Sequence, residues 1–197
     1  MSFGHLSPTP GSQAHTAFDV FLQSIDIAVA AEDLGADGAF SRVNHFACQL
    51  ASPFPLLAAV GAKTSRIEID TGVIDMRYEN PLYMVEDAGA SDLISEGRLQ
   101  LCISRGSPEQ AIDGWRHFGY QPADVETEAD MARRNAEVFL NVLRGEGFAR
   151  PNPRPMFPNP PGMLRIEPHS KGLGGGEFGG RGVKRNRRMG GESGNEF

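Results

Sequence analysis

Two hydrophobic periodicities alternate along the first 144 residues. In residues 16–34 the apolar side chains recur at helical spacing, at Phe18, Leu22, Ile25 and Val29. Residues 66–74 instead read RIEIDTGVI, a β-branched run that is typical of a buried strand. The pattern predicts four strands over 3–4, 38–43, 66–74 and 98–103, and four helices over 16–34, 53–64, 80–95 and 124–144.

Capping residues and helix breakers mark the ends of the predicted helices. Thr16 can cap the first helix, and Gly35 supplies the left-handed residue that ends it. Pro53 falls in the first turn of the second helix. Asn80 precedes a proline at the start of the third helix, and Gly97 follows its end. The breakers therefore agree with the boundaries that the periodicity predicts.

Strands and helices follow one another at spacings of about 30 residues, which predicts parallel strands joined by helical crossovers. Two α/β architectures fit this rhythm, an open doubly wound sheet and a (β/α)8 barrel. No G-x-G-x-x-G follows the first strand, which weighs against a dinucleotide-binding open sheet. The stretches NHF, TGVIDM and SRGSP follow the strands, where a barrel places its functional groups.

Composition and charge exclude several classes of function. The chain has 197 residues and a net charge of −6, which argues against a general nucleic-acid binder. The opening MSFGHLSPTPGS lacks the basic and apolar regions of a signal peptide, and no apolar run is long enough for a membrane span. Cys48 and Cys102 have no metal-ligand spacing. We therefore expect a cytoplasmic protein that binds neither nucleic acid, membrane nor metal.

A histidine and an arginine follow predicted strand ends. His45 would stand at the mouth of a barrel, where a neutral imidazole can move a proton near pH 7. Arg105 suits a phosphate because its guanidinium binds two oxygens at once, and Gly106 lets the backbone approach closely. The residues alone leave a simpler interpretation open, a loop histidine bonded to a carbonyl and a surface arginine in a turn.

Four motifs within residues 1–170 resemble, in order and spacing, the bacterial-luciferase-like family of flavin-dependent monooxygenases. They are the NHF turn, SP-x-P-LLAA-x-x-A-x-TSRI, NPL-x-x-x-ED…D-L-x-S-x-GR, and the RG that closes the fourth strand. The resemblance implies a (β/α)8 TIM barrel, of which this chain supplies the N-terminal half. It also implies reduced FMN at the C-terminal mouth, or F420 in some branches, with oxygen and a small organic substrate. A separate flavin reductase or NAD(P)H would supply the reduced FMN, and a homo-oligomer is compatible with the family.

The resemblance assigns roles to residues at the strand ends. His45 is the implied catalytic group, with Asn44 where the family often has a second histidine; asparagine can bond but cannot titrate. Relatives often carry a non-proline cis peptide near Gly72, and Ser104 stands where luciferases have a reactive cysteine. The implied cofactor-binding positions are Thr71, Gly72, Val73, Ser104, Arg105 and Gly106.

Two departures from the family bear on the cofactor. Asp70 and Cys102 occupy strand positions where many relatives have glycine, so either side chain could crowd the isoalloxazine ring. A carboxylate inside a barrel also needs a partner. The other polar candidates are interpreted as ion-pairing, capping or solvated groups, or have no assigned role: Asp87, Asp92, Glu126, Glu128 and His169.

Residues 171–197 differ in composition from residues 1–170. They hold 10 glycines, six Lys/Arg and three Asp/Glu, with no apolar period, which predicts a disordered Gly/Arg-rich tail. Shifted by one base, codons for VKRNRRMGGESGNEF can spell SNATAVWAAKAGMN, which resembles the family's continuation, so a frameshift is our hypothesis for the tail. The alternative is an RNA-binding segment.

A full barrel needs about 250 residues, so this chain would be a truncated one with open sheet edges. We expect it to bind FMN weakly or not at all. Two functional hypotheses follow, an FMN-dependent luciferase-like monooxygenase and a catalytically inactive barrel fragment that binds no flavin. Flavin binding separates them.

Overall fold

The computed structural model forms a parallel α/β sheet that is covered on one face by helices. The residues that it describes are 3–6, 16–47, 51–106, 111–145, 147–154, 157, 162–168 and 183–185. The helices are α1 (Ala17–Asp33), α2 (Pro53–Lys63), α3 (Pro81–Ile94) and α4 (Glu128–Leu143), with a 3-10 helix at Gly114–Phe118. The strands are β1 (Phe3–Leu6), β2 (Gly38–Ser41), β3 (Glu68–Thr71), β4 (Ile74–Asp75), β5 (Leu99–Ser104) and β6 (Val183–Arg185).

All strand pairs in the sheet are parallel, as the alternation predicts. β1 pairs with β2, β2 with β3, and both β3 and β4 with β5. Ile103 of β5 lies opposite Ile74 on one side and Arg185 on the other, so β4 and β6 flank β5. The α/β class is therefore confirmed. Among the described residues, no helix is both long and apolar enough to cross a bilayer.

The third predicted strand, 66–74, is divided into β3 and β4, and its pairing shifts by one residue at the division. Ile69 lies opposite Leu99, whereas Ile74 lies opposite Ile103, so the partner numbers differ by 30 and then by 29. Ile69 and Ile74 are both fully buried in the helix-side core, although an unbroken strand would place them on opposite faces. The extra residue acts as a bulge and turns Asp75 to the face away from the helices.

The hydrophobic core lies between the sheet and its helices. Leu57 of α2 and Phe139 of α4 are fully buried against Ile69 and Leu101 of the sheet. On the opposite face, register places Phe40, Asp70 and Gln100 side by side across β2, β3 and β5. The face that would point into a barrel is therefore rich in polar groups.

The predicted cap Thr16 begins α1, whereas the cap that begins α4 was not predicted from the sequence pattern. Thr16 and Asp19 form a capping box at α1, and Gly35 follows the helix with φ +86°. α4 begins after Thr127, whose side chain accepts from the backbone N–H of Asp130. The predicted start at 124 is therefore four residues early, because the capping box defines the first turn.

Three further expectations need correction. The predicted strand 38–43 ends at Ser41, because the chain leaves the sheet toward the NHF turn. The 3-10 helix Gly114–Phe118 was not predicted, since five residues are too short for a helical period. Val183–Arg185 of the tail, predicted to be disordered, form β6 paired with β5. The rest of residues 171–197 lies outside the described residues.

Two charged side chains, Glu32 and Arg98, form hydrogen bonds at the amino-terminal edge of the sheet. Glu32 accepts backbone N–H bonds from Ser65, Arg66 and Ile67 at 2.6–3.2 Å. Burial favours the protonated acid, but these donors outweigh it and lower the pKa of Glu32 to about 2. This carboxylate therefore stays ionised and ties α1 to the turn before β3.

Arg98, just before β5, is buried and donates only to oxygen acceptors of the α2–β3 region. Its guanidinium donates to the carbonyls of Gly61, Thr64 and Ile67 and to the hydroxyl of Thr64, at 2.7–3.0 Å. Gly61 and Thr64 lie at the C-terminal end of α2, where a cation also complements the helix dipole. The arginine thus satisfies backbone carbonyls that the helix itself leaves open.

Candidate active site

The carboxyl ends of β2, β3 and β5 meet at one edge, as predicted. The backbone N–H of Gly72 donates to the carbonyl of Ser41 at 2.7 Å. Thr71 Oγ1 accepts from the backbone N–H of Cys102 at 3.0 Å and donates to its carbonyl at 3.1 Å. The hydroxyl of Thr71 therefore bridges β3 to β5 and is occupied within the sheet.

The Gly72–Val73 peptide bond is cis and does not precede a proline. The prediction of such a bond near Gly72 is confirmed. The nearest atoms to a Cβ added at Gly72 would be those of Phe40 and the carbonyl oxygen of Ser41, at ordinary contact distances of 3.5–3.9 Å. The backbone here lies at the end of β3, beside the ring of Phe40.

His45 lies in the turn after β2 and packs on aromatic rings. Its imidazole stacks on Tyr78 with ring centroids 4.2 Å apart and meets Phe118 edge-on at 5.2 Å. Its Nε2 is buried and has no hydrogen-bond partner among the described residues. Burial lowers the pKa of His45, although the negative charge of Asp75 acts in the opposite direction. The imidazole is therefore neutral at pH 7, with half-buried Asn44 beside it.

Asp75 and Arg77 form a largely buried ion pair beside the predicted phosphate residues. The guanidinium of Arg77 bonds both carboxylate oxygens of Asp75 at 2.6–3.1 Å. It lies against Gly106, where an added Cβ would overlap its atoms and where φ is +103°. Arg105 is exposed beside it. Sequence reasoning missed this pair, although Asp75 stands inside the TGVIDM stretch that it singled out.

Ser104 and Cys102 have local contacts on β5. Ser104 Oγ accepts the backbone N–H of Gly106 at 3.2 Å and lies 3.4 Å from the carbonyl of Ile74, so it shapes the turn after β5. Cys102 Sγ lies 3.9 Å from Asp70 Oδ2. The two residues that depart from the family thus face each other on the inner side of the sheet.

The remaining sequence candidates lie apart from this edge or outside the described residues. Asp92 is buried and accepts the backbone N–H of Leu99, which supports its interpretation as a structural group. Glu126 precedes α4 and pairs with Arg134, whereas Glu128 is the first residue of that helix. His169 lies outside the described residues. Among those described, no three His, Cys, Asp or Glu side chains gather as metal ligands.

Glu79 is a partly buried acid that sequence reasoning did not select. Burial raises its pKa to about 7, and the negative charges of Asp87 and Asp75 add to the effect. Its charge in turn acts on Tyr120, whose pKa is raised chiefly by burial. Burial likewise raises the pKa of Asp87. The only sequence signal for Glu79 was its position, directly after Tyr78 and before the Asn-Pro that begins α3.

Replacing Glu79 with glutamine should remove one pH dependence of stability. The folded-state pKa is raised above the ordinary value of 4.5, so the stabilisation is present below pH 4.5 and is lost as the pH rises through about 7. Glu79→Gln should therefore gain up to about 3 kcal/mol relative to the parent at pH 8 and little at pH 4. Urea unfolding at several pH values measures this. Glu137→Gln on the exposed side of α4 is the control, and equal pH slopes for parent and Glu79→Gln would contradict the prediction.

Comparison with known proteins supports the likeness inferred from the motifs. The profile of the luciferase-like monooxygenase family matches residues 1–170. The uncharacterised protein YwcH of Bacillus subtilis is 28% identical over 146 residues, 73% of this chain and 40% of that protein. Limonene 1,2-monooxygenase of Rhodococcus erythropolis is 29% identical over 97 residues, 49% of this chain and 24% of that protein.

Solved monooxygenase structures share the fold. The monooxygenase RslO1 of Streptomyces bottropensis gives a TM-score of 0.64 at 25% identity, over 76% of this chain and 45% of that one. The oxygenating constituent of 3,6-diketocamphane monooxygenase of Pseudomonas putida, solved with FMN, gives a TM-score of 0.61 at 22% identity. The match covers 73% of this chain and 40% of that one. An F420-dependent secondary alcohol dehydrogenase also shares the fold, with a TM-score of 0.54 at 16% identity. The match covers 76% of this chain and 43% of that one. The chain thus spans less than half the length of these relatives.

Proposed function

Because the chain belongs to the luciferase-like monooxygenase family, shown by the match over residues 1–170, we propose that its strand ends form the flavin side of an FMN-dependent monooxygenase site. The substrates are oxygen and a small organic molecule, and a separate flavin reductase or NAD(P)H supplies reduced FMN. One observation carries this proposal. The buried Nε2 of His45 lacks a hydrogen-bond partner among the described residues, at the edge where β2, β3 and β5 end.

The residues at this edge fit a flavin cofactor. A buried nitrogen without a partner is costly, and a bound group that hydrogen-bonds to it would remove the cost. The exposed guanidinium of Arg105 suits the phosphate of FMN, and the guanidinium of Arg77 lies beside it against the backbone of Gly106. The Gly72–Val73 backbone and Thr71 would border the ring. Asp70 and Cys102 lie on the inner face of the sheet, before the strand ends, so the cofactor would bind beyond that pair at the edge of the sheet.

The chain's own residues would bind and orient the cofactor and would hold or move one proton. Reduced FMN, when bound, supplies the electrons that activate oxygen. His45, neutral at pH 7, can accept or hold a proton at Nε2 and can orient a bound group by the same bond. Asn44 can add a hydrogen bond but cannot titrate. Tyr78 and Phe118 pack against the imidazole and exclude water from it.

A titration with FMN tests the proposal and separates it from an inactive fragment. We expect weak binding by this chain, with a Kd of about 0.1–1 mM from quenching of FMN fluorescence, and still weaker binding of riboflavin. Arg105→Ala should weaken FMN binding about tenfold and remove the preference over riboflavin, because it deletes the phosphate contact. Arg133→Ala on α4 is the matched control.

Other outcomes have definite meanings. No binding of FMN at millimolar concentration would favour the inactive fragment. Binding of F420 without FMN would favour an F420-dependent oxidoreductase, the second candidate, for which the F420-dependent structural neighbour provides the precedent. Equal losses of FMN affinity in Arg105→Ala and Arg133→Ala would reject the assignment of Arg105 to the FMN phosphate.

A further inference from the structure

An aromatic cluster surrounds His45 at the rim of the site. Its members are Phe46, Tyr78, His117 and Phe118, from the turn after β2, the turn after β4 and the 3-10 helix. Phe118 meets Tyr78 edge-on at 5.2 Å and Phe46 at 6.0 Å. Phe46 also meets Tyr78 at 6.4 Å and His117 at 5.9 Å. Three separate segments therefore converge on one set of ring contacts.

The backbone holds this cluster in place. Phe46 has φ +57°, a left-handed conformation that a bulky residue adopts only when its surroundings fix it. A Cβ added at Gly114 would overlap Tyr78 and Phe46, so the start of the 3-10 helix packs directly on the cluster. Trp115, the next residue, is buried with Tyr78 and Met131. The rings are thus mounted on packed segments and not on a free loop.

Two rings of the cluster keep large exposed faces despite these contacts. Phe46 is 50% exposed and Phe118 is 49% exposed, both within ring contact of Tyr78, on which the imidazole of His45 stacks. Two charged pairs lie near the cluster. Asp75 bonds Arg77, and Arg116 lies over the ring of Trp115 while pairing with Asp113. The cluster therefore offers apolar area next to the imidazole of His45, and these two charged pairs are already engaged within the protein.

We propose that this aromatic cluster is the substrate-contacting wall of the site and selects uncharged, predominantly apolar cyclic or aromatic molecules. The inference rests on the proposed function for the chemistry, since the wall places such a molecule against His45. Flat rings stack on or meet the edges of Phe46 and Phe118 favourably, and burying their exposed faces supplies the binding energy. A carboxylate on the ligand would lose hydration against the exposed faces of Phe46 and Phe118.

A matched pair of probes tests the wall on the full chain without flavin. The probes are 4-isopropylacetophenone, which is neutral, and 4-isopropylbenzoate, which has nearly the same shape and a negative charge. Ligand-observed NMR titration should show the ketone binding at least tenfold more tightly. Phe46→Ala and Phe118→Ala should each weaken ketone binding about fivefold to tenfold. Phe18→Ala, at a 69% exposed position of α1, is the matched control and should change nothing.

The readouts keep this inference distinct from the proposed function. Fluorescence of Trp115, the sole tryptophan, verifies that each variant retains the packed 3-10 helix. Ketone binding that is intact while FMN binding fails would reject the flavin assignment and leave the wall standing. Equal affinity for the two probes, no binding of either, or an equal loss in Phe18→Ala would overturn the wall.

Discussion

Replacing Arg98 with alanine is expected to lower the free energy of unfolding by about 3–5 kcal/mol, because it disrupts a buried hydrogen-bond network. The side chain is 7% exposed and makes four hydrogen bonds. Without it, the carbonyls of Gly61, Thr64 and Ile67 lose their guanidinium donor in a site closed to water, at about 1–3 kcal/mol each before relaxation. Urea unfolding monitored by circular dichroism measures the loss.

Two further variants make the Arg98 result interpretable. Arg66→Ala is the matched control, because Arg66 also donates to carbonyls, those of Glu32 and Ala36, but from an exposed position. It should cost less than about 1 kcal/mol. Arg98→Lys keeps the charge but offers fewer donors, so an intermediate loss is expected. A loss in Arg98→Ala no larger than in Arg66→Ala would show that the buried network contributes little.

Replacing Asp75 with asparagine is expected to cost about 2–3 kcal/mol and to shift two titrations. The change removes the negative charge that faces the largely buried guanidinium of Arg77. The same charge raises the pKa of both His45 and Glu79. In Asp75→Asn the pKa of His45 should therefore fall further below its ordinary value, and that of Glu79 should fall slightly but stay raised, because burial is the main cause of its shift.

NMR titration of the imidazole protons measures the first shift, with the His45 signal assigned from its absence in His45→Gln. Asp113→Asn is the control, because it removes the partner of Arg116 in an exposed ion pair and should cost less than about 1 kcal/mol. An unchanged titration of His45 in Asp75→Asn would contradict the electrostatic coupling between β4 and the turn after β2.

Local sequence signals were enough to predict most of the fold. Thr16, Gly35 and Gly97 act where the chain itself requires a cap or a left-handed residue, so neighbours in sequence determine the helix ends. The β-branched run around Ile69 predicts a strand for the same local reason. The parallel order of the sheet follows from the alternation, because parallel strands need long crossovers.

The candidate site was only partly predictable, because its key contacts join segments that are distant in sequence. The stacking of His45 on Tyr78 and the approach of Phe118 depend on how two turns and a 3-10 helix meet in space. Burial of Glu79 similarly depends on the surrounding elements, and no local pattern reports it. The roles of His45, Arg105 and the other positions at the strand ends stay predictions until binding is measured.

The one-residue shift between β3 and β4 has a consequence for how this segment can change in length. Since side chains alternate in direction along a strand, the odd extra residue between Thr71 and Ile74 decides which of Ile74 and Asp75 faces the helices. Losing or adding a single residue there would reverse that parity and drive a carboxylate into the apolar layer. Insertions and deletions at this point should be tolerated only in steps of two.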